Sequence, residues 1–346
     1  MTRICTSLAL HNYRVVLVGK YYPVSLPLLN KTFSQHRIRC LFKKGKLAYI
    51  EFNLKLFFFL LFRKAEGLCA IDLDTIFPVL AVSVIKKCKR IYDAHELFTE
   101  MKEVISRPFI HAIWSWVEKT TIPHFSEGYT VNDSLASYFN EKYGVNYRVI
   151  RNMPPRKNDV AAVPLTEKFI IYQGSVNFGR CMENLIPAMK KVNARLLICG
   201  DGNFMNQSRQ LVIQHQLSEK VIFKGQLLPE DLQQVTATSY IGVNLVEPEG
   251  LNQIYSLANK FFDYIHAGLP QLTMDFIEYA RINKVFKVAL LIPDPSSDKI
   301  ASALNLLLDN NVLYKELREN CIKAREIYNW QKEEQMLLGF YDKIFN

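Results

Sequence analysis

Short apolar runs, each ending in a polar or Gly-containing loop and leading into a helix, recur along the whole chain. That alternation restricts the fold to an α/β class built on parallel sheet. Strands are expected at Arg14–Gly19, Gly67–Ile71, Arg90–Asp93, Gly128–Asn132 and Tyr147–Arg151. A polar, Pro-containing linker then runs from Asn152 to about Lys168. Beyond it the alternation restarts, with strands at Phe169–Tyr172, Arg195–Cys199, Val221–Phe223, Ile241–Leu245 and Val288–Ile292. Two such series in 346 residues predict two α/β domains, residues 1–155 and 156–330. A terminal helix over 331–346 is expected to pack back on the first domain. Residues 20–46 read as basic and irregular, and Leu47–Arg63, with Phe57 to Phe59, as a helix buried on much of its surface or lying on a membrane.

Charge divides the chain unequally. The net charge is +10, yet residues 1–160 hold 24 Lys/Arg against 13 Asp/Glu, and the remainder is near neutral. A one-sided basic surface points to an anionic partner, and with no nucleic-acid-reading motif present, an anionic membrane surface is the expectation rather than nucleic acid. The seven Cys show no Cys-x-x-Cys spacing, which argues against a disulfide framework or a zinc site and fits a reducing cytosol. The most apolar run, Leu56–Phe62, is far too short to span a bilayer.

The stretch with most chemistry is Glu247-Pro-Glu249-Gly250-Leu251-Asn252, followed by Asn259-Lys260-Phe-Phe-Asp263-Tyr264. It reads as a polar loop feeding a helix that Gly268-Leu269-Pro270 ends. Unpaired N–H groups at a helix start favour an anion, and Lys260 and Asp263, three apart, share one face. That face offers a cation for a phosphate and a carboxylate for a ribose diol, although helix physics alone also allows a capped helix with a solvated ion pair. Loops at Gly174–Arg180, Gly200-Asp-Gly202 and Gly225-Gln226 converge on the same C-terminal sheet edge, where open α/β sheets bind ligands. His95, in Asp93-Ala-His-Glu96, holds the corresponding place in the first domain; a lone His is otherwise more often structural. Asp72-Leu-Asp74 is read as the cap of a following helix in preference to a metal site.

These stretches, in this order, resemble glycosyltransferase family 4. Leu73-Asp-Thr75, Tyr92-Asp-Ala-His-Glu96, Arg151-Asn-Met-Pro154, Tyr172-Gln-Gly174, Arg180 with Glu183-Asn-Leu185, Gly200-Asp-Gly202 and the Glu247–Tyr264 run carry the resemblance. It implies the GT-B fold, two Rossmann-like domains facing across a cleft. It also implies retaining, metal-independent sugar transfer from a UDP- or GDP-linked donor to a saccharide or lipid-linked saccharide acceptor. The setting implied is bacterial surface-polysaccharide assembly in the cytoplasm, at the inner face of the membrane. No cofactor or metal is expected. By the same resemblance Arg180 and Lys260 meet the diphosphate, Asp263 meets the ribose and His95 the sugar. Gly174, Gly200, Gly202, Gln226, Glu249, Gly250, Leu251, Asn252 and Asn259 line the donor.

Four departures stand out. Ala258 replaces the usual Pro, Asp263 the usual Glu, and Ser175 the usual loop Arg, while the first Glu of the family's Glu-x7-Glu pattern falls on Tyr255. A sugar-nucleotide epimerase of similar fold and a non-catalytic, glycosyltransferase-like binding protein are the alternatives. Because the first strand-like run is already Arg14–Gly19, the first domain is expected to have one parallel strand fewer than usual, with a reading frame that begins upstream.

Overall fold

A computed structural model describes residues 1–23, 25, 27–156 and 167–345. Much of the expected linker, residues 157–166, lies outside the described residues. The chain divides into one unit of Met1–Arg151 with Lys332–Asn346 and a second of Asn152–Gln331.

In the first unit, α1 (Thr2–Leu10) precedes β1 (Val16–Lys20) and β2 (Ser34–Ile38), which form a two-stranded parallel ladder. After α2 (Gly45–Leu61) come β3 (Gly67–Ile71), α3 (Ile76–Lys86), β4 (Lys89–Ala94), α4 (Lys102–Ile105), α5 (Pro108–Thr121), β5 (Glu127–Thr130), α6 (Asp133–Tyr143) and β6 (Asn146–Val149). Strands β3-β4-β5-β6 make a separate parallel sheet in that order. In a doubly wound order 3-2-1-4-5-6 the first strand links the second to the fourth. Among the described residues no strand precedes Val16, and β1 is not hydrogen-bonded to β3.

Strand β2 corrects the reading of residues 20–46 as irregular. Its sequence, Ser-Gln-His-Arg-Ile, lacks the apolar run that marks a buried strand; it is held by register with β1 and by burial of Phe33 and Ile38 at its ends. Helix α2 is also corrected. It packs on α3, but only Ala48 and Leu56 are buried, so most of its apolar surface faces outward. The core of the first unit is aromatic: Tyr92 lies within 6.0 Å, centroid to centroid, of Phe125, Phe139 and Tyr147. From the last helix, Phe340 and Tyr341 close over Tyr129.

The second unit begins with β7 (Phe169–Gln173), α7 (Met182–Ala188), β8 (Arg195–Cys199), α8 (Met205–Gln214), β9 (Val221–Gly225) and α9 (Pro229–Ala237). It continues through β10 (Ile241–Asn244), α10 (Leu251–Ile254), α11 (Asn259–His266), β11 (Gln271–Met274), α12 (Ile277–Val285) and β12 (Ala289–Ile292). Helices α13 (Ser297–Asp309) and α14 (Asn311–Ala324) follow, and α15 (Trp330–Phe345) carries the chain back to the first unit from Lys332. The sheet is parallel throughout, in the order β12-β11-β10-β7-β8-β9.

Alternation along its strands fills two layers. Ile170, Tyr172, Leu196 and Ile198 enter the larger core with α7, α13 and α14, whereas Ile171, Leu197 and Cys199 face Tyr264 and Leu269. The chain runs outward from β7 through β8 to β9, then returns to place β10 on the other side of β7. The crevice beyond the C-terminal ends of β7 and β10 is therefore the topological switch point, the place where such sheets take ligands.

Candidate active site

The loops at that switch point hold one another. Gly174 N–H donates to Cys199 O (2.9 Å), Val176 N–H to Asp201 O (3.0 Å) and Gly200 N–H to Gly225 O (2.8 Å), so the loops after β7, β8 and β9 form one hydrogen-bonded floor. Asn177 Oδ1 accepts from Asn203 N–H, and Asn203 Oδ1 accepts from Phe178 N–H, both at 3.0 Å. The floor demands glycine at Gly200: φ is +152°, and a Cβ there would stand 1.9 Å from Gly174 O. Gly202 is also too close for a side chain, its Cβ position lying 2.4 Å from Val176 O.

On the other side of β7, Glu247 N–H donates to Gly179 O (3.0 Å), which fastens the Gly179-Arg180 turn to the loop after β10. Gly250, with φ +80°, starts the short helix α10, where Leu251 and Asn252 are half-buried; Glu249 is exposed. Gln226 is exposed just past β9.

Helix α11 buries Phe261, Phe262, Tyr264 and Ile265 and turns Asn259, Lys260 and Asp263 toward the crevice side of the sheet. Tyr264 fits because β10 carries Gly242, whose Cβ would meet the phenol ring at 2.5 Å. The helix has no side-chain cap, so its first amide groups, those of Asn259 and Lys260, lack intrahelical acceptors. The Asn259 side-chain oxygen accepts from Asn152 Nδ2 at 3.2 Å.

Lys260 extends back over β7. Its Nζ lies 3.8 Å from the centre of the Tyr172 ring and 3.6 Å from where a Gly174 Cβ would be. Tyr172 is locked by its own hydroxyl, which donates to Ser175 O at 2.7 Å. Burial, and then the nearby Arg180 guanidinium, hold the Lys260 ammonium well below its ordinary pKa, with Asp263 opposing them. Among the described residues Arg180 has no carboxylate partner. Burial and the Arg180 charge thus both disfavour the Lys260 ammonium, with Asp263 offsetting them only in part, an arrangement that a bound anion would relieve.

Asp263 is positioned from β7. Its Oδ2 accepts from Gln173 Nε2 (3.0 Å), and the Gln173 amide is oriented by Thr236, whose hydroxyl donates to Gln173 Oε1 (2.7 Å). Tyr172, Gln173 and Thr236 were not singled out as site residues from the sequence. The first two sit inside the Tyr-Gln-Gly motif, whereas nothing local marks Thr236, which reaches the site only through the packing of α9.

In the first unit, His95 follows β4. Its Nε2 is 3.1 Å from Asp93 Oδ1, and its backbone N–H donates to Asp72 Oδ1 at 2.7 Å. Burial alone would lower the imidazole pKa, but contact with Asp93 and the charges of Asp93 and Asp72 raise it to about 9. Burial in turn raises Asp72 to about 7. The reading of Asp72 as a helix cap is thereby corrected. Asp72 takes φ +52° to aim its carboxylate at His95, and neither the turn Leu73–Thr75 nor α3 has a side-chain cap.

A model of the glycosyl transferases group 1 family matches residues 155–326. No curated protein sequence matches the chain. Among solved structures, HepE of Anabaena in complex with UDP and glucose is similar over 99% of this chain and 95% of its own, with TM-score 0.75 and 13% identity. Sucrose-phosphate synthase of Thermosynechococcus elongatus gives TM-score 0.75 and 16% identity, over 99% of this chain and 92% of its own. WaaG, a glycosyltransferase involved in lipopolysaccharide biosynthesis, gives 0.67 and 16% over 99% and 94%. These likenesses establish the fold as GT-B, and through residues 155–326 the chain belongs to the group 1 glycosyl transferases.

Proposed function

We propose that the protein moves a sugar, with retention of configuration and without a bound metal, from a UDP- or GDP-linked donor to a lipid-linked saccharide acceptor in surface-polysaccharide assembly. The observation that carries this reading is Lys260 at the start of α11, its ammonium disfavoured by burial and by the Arg180 charge at the sheet's switch point and only partly offset by Asp263. When the bond between the sugar's anomeric carbon and the diphosphate breaks, negative charge builds on the departing oxygen. The two cations and the N–H groups of Asn259 and Lys260 stabilise that charge more than they stabilise the intact donor. Asp263, braced by Gln173, accepts from the ribose hydroxyls; the floor of Gly174, Gly200 and Gly202 lets backbone approach the nucleotide. His95 takes the sugar-side role that the family resemblance gives it.

The place of work in this reading is the cytoplasmic face of a membrane, supported by the basic first unit and the outward apolar face of α2. Among the described residues no helix is long and apolar enough to cross a membrane. A thermal-shift screen of UDP- and GDP-sugars, followed by nucleotide release with a lipid-linked acceptor, tests the proposal. Stabilisation by one donor and acceptor-dependent release are expected. Turnover with no acceptor would indicate an epimerase. Ser175 and Tyr255 in place of the family's Arg and Glu support a second reading, a binding protein, which donor binding without release would favour.

A further inference from the structure

A second group of cations without partners lies in the first unit, outside everything described above. At the C-terminal ends of β1 and β2, Lys20, Tyr21, Tyr22, Arg39, Phe42 and Lys43 line a pocket of about 220 Å³. The Lys20 ammonium stands 5.4 Å from the centre of the Tyr22 ring and the Arg39 guanidinium 5.2 Å from that of Tyr21, so aromatic faces hold both cations in place. Among the described residues no carboxylate pairs with Lys20, Arg39 or Lys43. Glu51, on α2 beside this wall, is engaged elsewhere. Glu51 accepts from Leu41 N–H (2.8 Å), Phe42 N–H (2.9 Å) and Lys55 Nζ (2.7 Å). Those bonds hold its carboxyl down at about pKa 2, and Lys55 also donates to Arg39 O at 2.9 Å. The wall Arg39–Lys43 is thus fastened to α2 by a network that engages the Glu51 carboxylate, and three positive charges line the pocket.

The helix that anchors this wall continues it as an apolar surface. Leu47, Ile50, Leu54 and Phe58 share the face of α2 that carries Glu51 and Lys55, at spacings of three and four, and each is more than half exposed. From Leu47 to Phe58 the stripe is about 16 Å long at 1.5 Å per residue. A pocket of paired-off carboxylate and free cations, at one end of an exposed apolar strip, matches an amphiphile with a phosphorylated head.

We infer that this pocket binds the phosphate or diphosphate of the lipid-linked acceptor and that α2 carries the adjoining hydrocarbon. The inference rests on the lipid-linked acceptor of the proposed function and gives that acceptor a site. A free phosphate compound would use the same cations, so the apolar strip is what separates the two sources.

The test is direct binding by the full chain, in an Arg180→Gln/Lys260→Gln background that removes the anion site of the second unit. Three probes are titrated: monomeric farnesyl diphosphate, inorganic diphosphate, and vesicles containing phosphatidylglycerol. Arg39→Gln/Lys43→Gln should weaken both soluble diphosphates by about tenfold or more. Leu54→Ser/Phe58→Ser should weaken farnesyl diphosphate several-fold and leave inorganic diphosphate unchanged. All these positions are exposed or at the pocket rim, and unchanged melting curves verify folding. Farnesyl diphosphate binding that ignores Arg39 and Lys43 overturns the pocket. Equal effects of the α2 variant on both soluble probes overturn the lipid source, and binding to vesicles alone overturns the inference in favour of a membrane surface. Because no probe is a sugar donor, failure here leaves the transfer reaction untouched, and failure of transfer leaves this binding measurable.

Discussion

Replacing Lys260 by Met separates an anion site from an ordinary capped helix, because the two predict opposite stability changes. Met keeps the apolar stem that lies on the Tyr172 ring and removes the charge. The Lys260 ammonium is held below its ordinary pKa by burial and by Arg180, so in the ligand-free protein the charge opposes folding. Since the folded pKa is the lower one, the penalty is greatest at low pH and is relieved as pH rises toward the ordinary lysine value. Removing it should therefore stabilise the second unit near neutral pH, where relief of about 1 kcal/mol raises Tm by about 2–4 °C for a domain of this size. The same change should weaken UDP or GDP. One charge-assisted hydrogen bond to phosphate is worth about 1.5–3 kcal/mol, or about ten- to more than a hundredfold in Kd. Turnover should fall by about a hundredfold or more, because the cation meets charge that grows as the bond breaks. Differential scanning calorimetry, nucleotide titration and transfer assays on one preparation read all three. A Tm that falls together with unchanged nucleotide affinity would refute the reasoning, since Lys260 would then be a structural residue.

Nucleotide affinity of the parent protein should decline at a lower pH than an ordinary lysine would give, because the diphosphate needs the protonated Lys260; titration across pH checks this, and Lys260→Met should flatten the profile. Asp263→Asn should weaken donor binding with a smaller effect on turnover, since it meets a non-reacting hydroxyl; a fall in turnover at unchanged KM would contradict that role. Gly242→Ala forces a methyl to within 2.5 Å of the Tyr264 ring and should destabilise by about 1–3 kcal/mol in urea unfolding, independently of nucleotide. For His95 the folded pKa is raised to about 9, so its stabilisation is full below the ordinary value and lost as pH climbs through 9. The loss is at most about 3 kcal/mol, and His95→Gln should abolish that slope in chemical unfolding.

The sheet of the second unit was legible because its strands are buried on both faces and read as near-continuous apolar runs. Ile170–Tyr172 and Leu196–Ile198 announce themselves this way. Two strands did not. Strand β11, Gln-Leu-Thr-Met, follows directly on the Gly268-Leu-Pro270 helix end and is too short to show a period. Strand β2 alternates among polar residues at a ladder of only two strands, where register comes from β1 and not from its own composition. The opposite error arose in α2, whose all-round apolarity ordinarily signals burial. Here packing on α3 covers one side only, and hydrophobicity by itself carries no information about which neighbour is absent.

The site was legible to a different depth, because sequence marks the groups that meet a ligand better than the groups that place them. Lys260 and Asp263 share a face by helical spacing, and the glycines are demanded by contacts as close as 1.9 Å. What spacing cannot convey is that Lys260 lies on Tyr172 or that Asp263 is braced through Gln173 by Thr236, 27 residues away on another helix. The same holds for Asp72: a carboxylate before a helix looks like a cap, and only the parallel register of β3 with β4 brings it to the His95 amide. In each case the missing information is a contact between elements far apart in sequence, helices α11 and α9 on strand β7 or the turn after β3 on the turn after β4, and in a parallel sheet even neighbouring strands are separated by a whole helix of sequence. The pair Arg180 and Lys260 is separated in the same way, by three strands and their helices. Burial of the Lys260 ammonium beside the Arg180 charge, only partly offset by Asp263 and absent from any local motif, is a physical argument that an anion belongs there.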